Sequence, residues 1–221
     1  MGFKLHTSQK AVAQDALARR FGLSSKALTP AVRAALEALE AENASLRARL
    51  CDAEALAERD GLTGALNRRG FMRVLHRTAS FVERYKSQAG VVFLDLDGFK
   101  AINDGYGHAL GDKVLLHVAR LLMGNVRDSD SVGRLGGDEF GVVLARVSPE
   151  EAVQKAAALS RLISETPFVY GNTVHQLAAS YGLKLLEPME DPEAALARAD
   201  EAMYADKHAR KLRGVLATPD A

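Results

Sequence analysis

Val132-Gly133-Arg134-Leu135-Gly136-Gly137-Asp138-Glu139-Phe140-Gly141-Val142-Val143-Leu144 decides the fold. Two short runs rich in Val, Leu and Phe flank a Gly-Gly pair, the pattern of two antiparallel strands joined by a tight turn. That turn carries two acids, Asp138 and Glu139. Upstream, Val91-Val92-Phe93-Leu94-Asp95-Leu96-Asp97 is a second apolar run, of the kind buried on both faces, and it too ends in acids. Charges at the end of a buried strand need a partner or a cation.

Working outward, helical spacing covers about residues 68–86, 110–123, 149–164 and 192–210. Further strands are predicted at 168–170 and 174–186, on either side of Gly171-Asn172. Helices alternating with strands and hairpins imply an α/β sandwich whose central, mainly antiparallel sheet is flanked by helices. The turn residues Asp60-Gly61 and Thr63-Gly64 open this globular part, predicted to span 60–213, with 214–221 as a flexible tail.

Before it, residues 30–60 are almost all good helix formers, with Thr29-Pro30 as the start. Leu36, Asn43, Leu50 and Ala57 fall at a, and Val32, Leu39, Leu46 and Ala53 at d, of a heptad seam. In a parallel pair, Glu42 faces Arg47 and Arg49 faces Glu54 of the partner, opposite signs both times, and Asn43 meets its own copy. A parallel coiled-coil homodimer over 29–59 is therefore expected; an amphipathic helix lying on the folded domain is the alternative for so short a seam. Residues 1–28 read as a short helical or flexible segment, either a docking element for a protein partner or a loose extension.

With 48% hydrophobic and 26% charged residues, the 221-residue chain is long enough for one good core and an appendage. Its 29 basic and 28 acidic residues are mixed along the sequence, so no basic face advertises nucleic acid. No apolar run approaches a membrane span, and no direct membrane insertion is expected. The single cysteine, Cys51, can form neither a disulfide framework nor a zinc cluster, which fits a cytoplasmic setting.

Acids on two neighbouring strands can converge. Such carboxylates hold Mg²⁺ poorly as a closed cage, but well when triphosphate oxygens and waters complete the octahedron, as phosphoryl and nucleotidyl transfer require. Taken alone, the Gly-Gly-Asp turn is equally a solvated hairpin. Asp97-Gly98-Phe99-Lys100 adds a glycine turn whose N–H groups and lysine suit phosphate, although an exposed lysine beside a turn is also ordinary. Asn103, Asp104, His108 and Asp112 cluster around Gly105 and Gly107; Asp112 reads either as a ligand contact or as a first-turn helix acid.

Together with Asp60-Gly61-Leu62-Thr63-Gly64, Asn67-Arg68-Arg69, Gly107-His108, Gly111-Asp112, Ala199-Asp200, Tyr204 and Lys207, these residues resemble the GGDEF family of diguanylate cyclases over about residues 60–211. The resemblance implies the palm-like fold of the nucleotidyl cyclases and condensation of two GTP into cyclic di-GMP with release of two pyrophosphates. Each domain of a dimer would hold one GTP, so a monomer lacks half the reactants. Two Mg²⁺ or Mn²⁺ ions per site are implied, held by Asp95, the Leu96 carbonyl and Asp138, with Glu139 assisting. Asp138 is one candidate for promoting deprotonation of the attacking hydroxyl; solvent acting on a metal-bound hydroxyl is the other.

By the same resemblance, Gly136 and Gly137 line the substrate, Gly98, Phe99 and Lys100 form the phosphate loop, and Lys207 serves phosphate and catalysis from the last helix. Asn103 and Asp112 match the guanine readers: a carboxylate accepts from guanine N1–H and N2–H₂, a pattern that adenine lacks. The family ending Lys-x-x-Gly-Arg-Asn is replaced here by Lys207-His208-Ala209-Arg210-Lys211-Leu212, so Lys211 stands where an arginine holds phosphate. Lysine keeps the charge and loses the bidentate fork, so weaker GTP affinity is expected, with Arg210 as a neighbouring substitute. Arg127-Asp128-Ser129-Asp130 matches the family's Arg-x-x-Asp site for inhibition by cyclic di-GMP. The alternative to turnover is a catalytically weak module that binds GTP or cyclic di-GMP and regulates a partner.

Overall fold

A computed structural model of the chain describes residues 21–22 and 29–212. The expectations for 1–28, Phe21 and Gly22 apart, and for 214–221 lie outside the described residues. The chain divides into two compact units, Met1–Ala55 and Leu56–Ala221. Helix α1, Pro30–Ala57, starts where the Thr29 hydroxyl accepts from Val32 N–H at 3.3 Å, with proline at the first helical position. Three of its seam residues, Val32, Leu39 and Leu46, are 38, 59 and 54% exposed in the single chain.

In the second unit, Asn67 caps helix α2 (Arg68–Tyr85) by accepting from Gly70 N–H. Strand β1 (Ala89–Leu96) follows, then helices α3 (Phe99–Tyr106) and α4 (His108–Gly124), and strands β2 (Ser131–Arg134) and β3 (Glu139–Ala145). Helix α5 (Pro149–Glu165) opens on a Ser148/Glu151 capping box with proline in its first turn. Strands β4 (Phe168–Tyr170) and β5 (Thr173–His175) form a separate hairpin, and β6 (Ala179–Leu185) and α6 (Pro192–Leu212) complete the chain.

The main sheet has the order β2-β3-β1-β6 with every neighbour antiparallel, so the predicted sandwich and its antiparallel sheet are found. Alternation along β1 sorts the core. Val92, Leu94 and Leu96 face α4 and α5, where Val114, Leu115, Val118 and Leu159 are buried. Val91 and Phe93 face Phe71 and Leu75 of α2 and Leu196 and Met203 of α6. By the same alternation, Asp95 belongs to the α2/α6 side.

Three details depart from the sequence reading. Residues 99–106 form a helix rather than a phosphate turn alone, entered through Gly98 at φ 72°. The expected strand over 174–186 is split, because β5 pairs with β4 outside the main sheet while β6 pairs with β1. Helix α4 begins at His108, which puts Asp112 beyond its first turn and removes the reading of that acid as a dipole partner.

Candidate active site

Antiparallel register does the first part of the assembly: Asp95 of β1 lies opposite Glu139 of β3 and Ser180 of β6. The β2–β3 turn then brings Asp138 beside them, its carbonyl accepting from Leu96 N–H at 3.3 Å. A Cβ at Gly136 would press on the Glu139 carboxylate, 3.0 Å from its Cδ, so glycine here leaves that carboxylate its place in the turn. The turn is braced from outside by Arg134. Its Nε and Nη2 donate to the Gly137 carbonyl at 3.1 and 2.8 Å, and its Nη1 reaches Asp60 Oδ1 at 3.3 Å.

Helix α6 delivers a cation to these acids. Lys207 Nζ donates to Asp95 Oδ1 and lies 3.7 Å from Asp97 Oδ1, which also accepts from the Ser180 hydroxyl at 2.9 Å. The helix can lie this close because β6 presents Gly182, where a Cβ would sit on the Ala199 carbonyl and 2.9 Å from the Ala202 carbonyl carbon. The same helix contributes Asp200, which with Arg68, Met72, Phe93, Glu139 and Leu196 lines a cleft of about 450 Å³.

The electrostatics are those of crowded acids. Burial, with Asp95 next, pushes Asp138 above the ordinary carboxylate value, against the pull of Lys207 and Arg134. Glu139 is raised by burial and then by Asp200, Asp95 and Asp138; Asp200 is raised by burial and by Asp95 and Glu201. Lys207 is pushed down by burial, but its hydrogen bond and charge interactions with Asp95, Asp97 and Asp138 outweigh this and raise it. Among the described residues, no three His, Cys, Asp or Glu side chains close on a metal by themselves. Mutually repelling carboxylates beside a strand end, with a lysine as their counter-charge, form a donor set that fits a divalent cation whose shell a nucleotide and water complete.

The remaining predicted residues fall in three places. Phe99 and Lys100 open α3, with the Phe99 ring buried and Lys100 exposed. Asn103 lies across Gly111 of α4, so it stands beside the exposed Asp112. Arg127 and Asp130 are at the opposite end of β2 from the Gly-Gly turn. There Asp130 accepts from Arg127 N–H and from Ala145 N–H, both at 3.1 Å, and the two residues border a cleft of about 320 Å³. Lys211 is in the last turn of α6; its side chain and that of Arg210 are outside the described residues.

Sequence reading named Asp60 and Asp200 as motif residues but gave neither them nor Arg134 a task in the site, and it missed Lys155, which α5 places in the cleft beside Arg127. For Asp60 and Arg134 the separation in sequence hid the link. For Lys155 no local signal distinguishes it from any other helix lysine.

The family model described as "Diguanylate cyclase, GGDEF domain" matches residues 57–213. The chain belongs to this GGDEF family. Diguanylate cyclase TpbB of Pseudomonas aeruginosa is 37% identical over 179 residues, which cover 80% of this chain and 39% of TpbB. Probable diguanylate cyclase DgcE of Escherichia coli is 35% identical over 164 residues, 74% of this chain and 15% of DgcE. This chain thus spans well under half the length of those relatives. Among solved structures, the coiled coil and GGDEF domain of DgcB from Caulobacter crescentus, in complex with c-di-GMP, superposes with a TM-score of 0.70 at 28% identity. That match covers 80% of this chain and 95% of that one. Diguanylate cyclase SiaD in complex with its activator SiaC, from Pseudomonas aeruginosa, gives a TM-score of 0.69 at 26% identity, over 92% and 80%. The palm-like GGDEF fold is thereby established for the second unit. No helix among the described residues is long and apolar enough to cross a membrane.

Proposed function

We propose that this GGDEF protein is a diguanylate cyclase that condenses two GTP into cyclic di-GMP and two pyrophosphates across a pair of its domains. The observation that carries the reading is the convergence of Asp95, Asp138 and Glu139 at adjoining strand ends, with Lys207 brought to them from α6. Asp95, the Leu96 carbonyl and Asp138 would hold Mg²⁺ or Mn²⁺, two ions per site, with Glu139 assisting. Bound there, the metal supplies positive charge to triphosphate oxygens and lowers the pKa of a coordinated hydroxyl.

The chain's own residues do the rest. Gly98, Phe99 and Lys100 at the start of α3, together with Lys207 and Lys211, hold the phosphates, while Gly136 and Gly137 let the nucleotide approach the backbone. Asn103 and Asp112 read the guanine edge, and Asp112 accepts where adenine has no donors. The second GTP comes from a second copy. Pairing is supported by the exposed Val32, Leu39 and Leu46 seam of α1, which a parallel partner helix would cover. Arg127 and Asp130 form the inhibitory product site, and Lys155 adds a second positive charge to a cleft that suits a dianionic product. The domain limits follow: a docking or flexible segment over 1–28, a coiled coil over 29–59, the catalytic domain over 60–213 and a tail beyond it, the whole acting in the cytoplasm.

Purified protein incubated with GTP and Mg²⁺, after bound nucleotide has been stripped, is expected to yield cyclic di-GMP on chromatography. Asp138→Ala is expected to retain the fold and lose about a hundredfold or more of the rate, since loss of even a metal ligand's partner costs 10–100-fold. A wild type that forms no product sinks the reading.

A further inference from the structure

Gly111 belongs to a motif that the catalytic reading leaves without a task. It is buried in α4, one helical turn past the corner at Gly107 (φ 82°), where α3 ends and α4 begins. That corner is pinned by Gly107 N–H donating to the Asn103 carbonyl at 2.9 Å, so the backbone of Asn103 is fixed relative to α4. The Asn103 side chain then lies directly across Gly111. A Cβ added at Gly111 would clash with Asn103 Oδ1, lying 3.0 Å from its Cγ and 3.2 Å from Phe99 Cζ.

Two physical facts make this contact specific in its consequence. Gly111 is not among the glycines with positive φ, so its helical backbone accepts alanine without conformational strain, and alanine favours a helix. The first atom that an added methyl meets is the far end of a flexible side chain, which swings aside at little cost to the fold. An alanine at 111 therefore displaces the amide of Asn103 and little else, beyond a shift of a few tenths of an ångström at Phe99.

We infer that Gly111 is a specificity-determining positioning residue: its missing side chain is the seat on which Asn103 rests, and it thereby sets the reach of that amide toward the guanine beside Asp112. Gly111 touches no reacting atom and acts through Asn103. The inference rests on the reading of Asn103 as a guanine contact.

The test is a mutant cycle on the full chain, with steady-state kinetics on GTP and thermal melting for wild type, Gly111→Ala, Asn103→Ala and the double variant. Gly111→Ala is expected to melt at or above the wild type and to raise the KM for GTP about tenfold, with kcat within about twofold, as loss of one well-placed hydrogen bond does. In the Asn103→Ala background the methyl has nothing to displace, so adding Gly111→Ala is expected to change KM by less than about twofold. An unchanged KM in Gly111→Ala, or an equally large loss in the Asn103→Ala background, overturns the inference while leaving the cyclase reading intact. Should Gly111→Ala fail to fold, a double variant that folds supports the contact, and one that also fails refutes it. If Asn103→Ala leaves preference for GTP over ATP unaltered, the guanine assignment falls and this inference with it. A wild type inert toward GTP removes the functional reading itself.

Discussion

Lys207→Met removes the cation that, among the described residues, α6 sets beside the acids, while keeping most of the side-chain length. At the 3.7 Å separation from Asp97 Oδ1, one such pair amounts to about 4 kcal/mol at an effective dielectric of about 20 and about 1 kcal/mol in bulk water. Lys207 is 23% exposed, Asp95 17% and Asp97 5%, so the site lies between those limits, and solvent screening reduces the upper figure. Loss of about 2 kcal/mol is the working expectation. For a domain of this size that lowers the melting temperature by about 4–8 °C at pH 7. The effect has a pH signature. Lys207 is raised in the folded protein, so its contribution is complete below its ordinary value of 10.5 and is lost as the pH rises through the folded one. Added Mg²⁺ is expected to raise the melting temperature of Lys207→Met more than that of the wild type, because the variant leaves the same acids without their lysine. Scanning calorimetry with chelator or Mg²⁺, between about pH 7 and pH 11, checks both points. A variant that melts with the wild type at pH 7, or that gains no more from Mg²⁺, refutes the account of Lys207 as counter-charge to this cluster.

Asp138 is linked to pH in the same direction, but through its neutral form. Its folded pKa is raised, so the metal-free domain binds an extra proton near its ordinary value of 3.8 and loses stability as the pH climbs through the raised value. Asp138→Asn is accordingly expected to melt higher than the wild type at pH 7 in chelator; an unchanged or lower melting temperature contradicts the crowding of acids described above. Arg127→Ala is expected to relieve inhibition by added cyclic di-GMP without disturbing the loop, because Asp130 is held by the backbone N–H of Arg127 rather than by its side chain. Lys155→Ala is expected to weaken inhibition less, and inhibition curves unchanged in both variants remove the product-site assignment. Placing glutamates at the seam, as Leu39→Glu with Leu46→Glu, is expected to give a monomer by light scattering and a loss of specific activity that concentrating the protein partly restores. Dimers with full activity exclude the α1 seam as the pairing element.

Legibility from sequence followed locality. The expected starts at 149 and 68 agree with α5 and α2, whose Ser148/Glu151 box and Asn67 cap are made by near neighbours in the chain. The apolar runs at 91–96 and 139–144 were recognisable because their length and composition suit buried strands. Helix α3 was not, since eight residues containing Gly105 and bracketed by Gly98 and Gly107 carry little intrinsic helix preference; packing of Phe99 and Ile102 against the core stabilises it instead. The break between β5 and β6 was also hidden. No Gly or Pro marks the link at 176–178, and what separates the two strands is the choice of partner, β4 in one case and β1 in the other.

By itself, the sequence determined that acids end two buried strands, that a glycine turn carries one pair of them, and that a long helix bears a heptad seam, for these are properties of short stretches of chain. Only the tertiary structure decided which distant groups meet them. Lys207 follows Asp95 by more than a hundred residues, and Asp200, Lys155 and Gly111 are ordinary members of their helices. Close packing of α6 on Gly182, of α5 beside the Arg127 loop and of α4 under Asn103 makes them parts of sites. The physical reason is that hydrophobic burial fixes where each helix lies, and that placement in turn determines which charges and amides face one another.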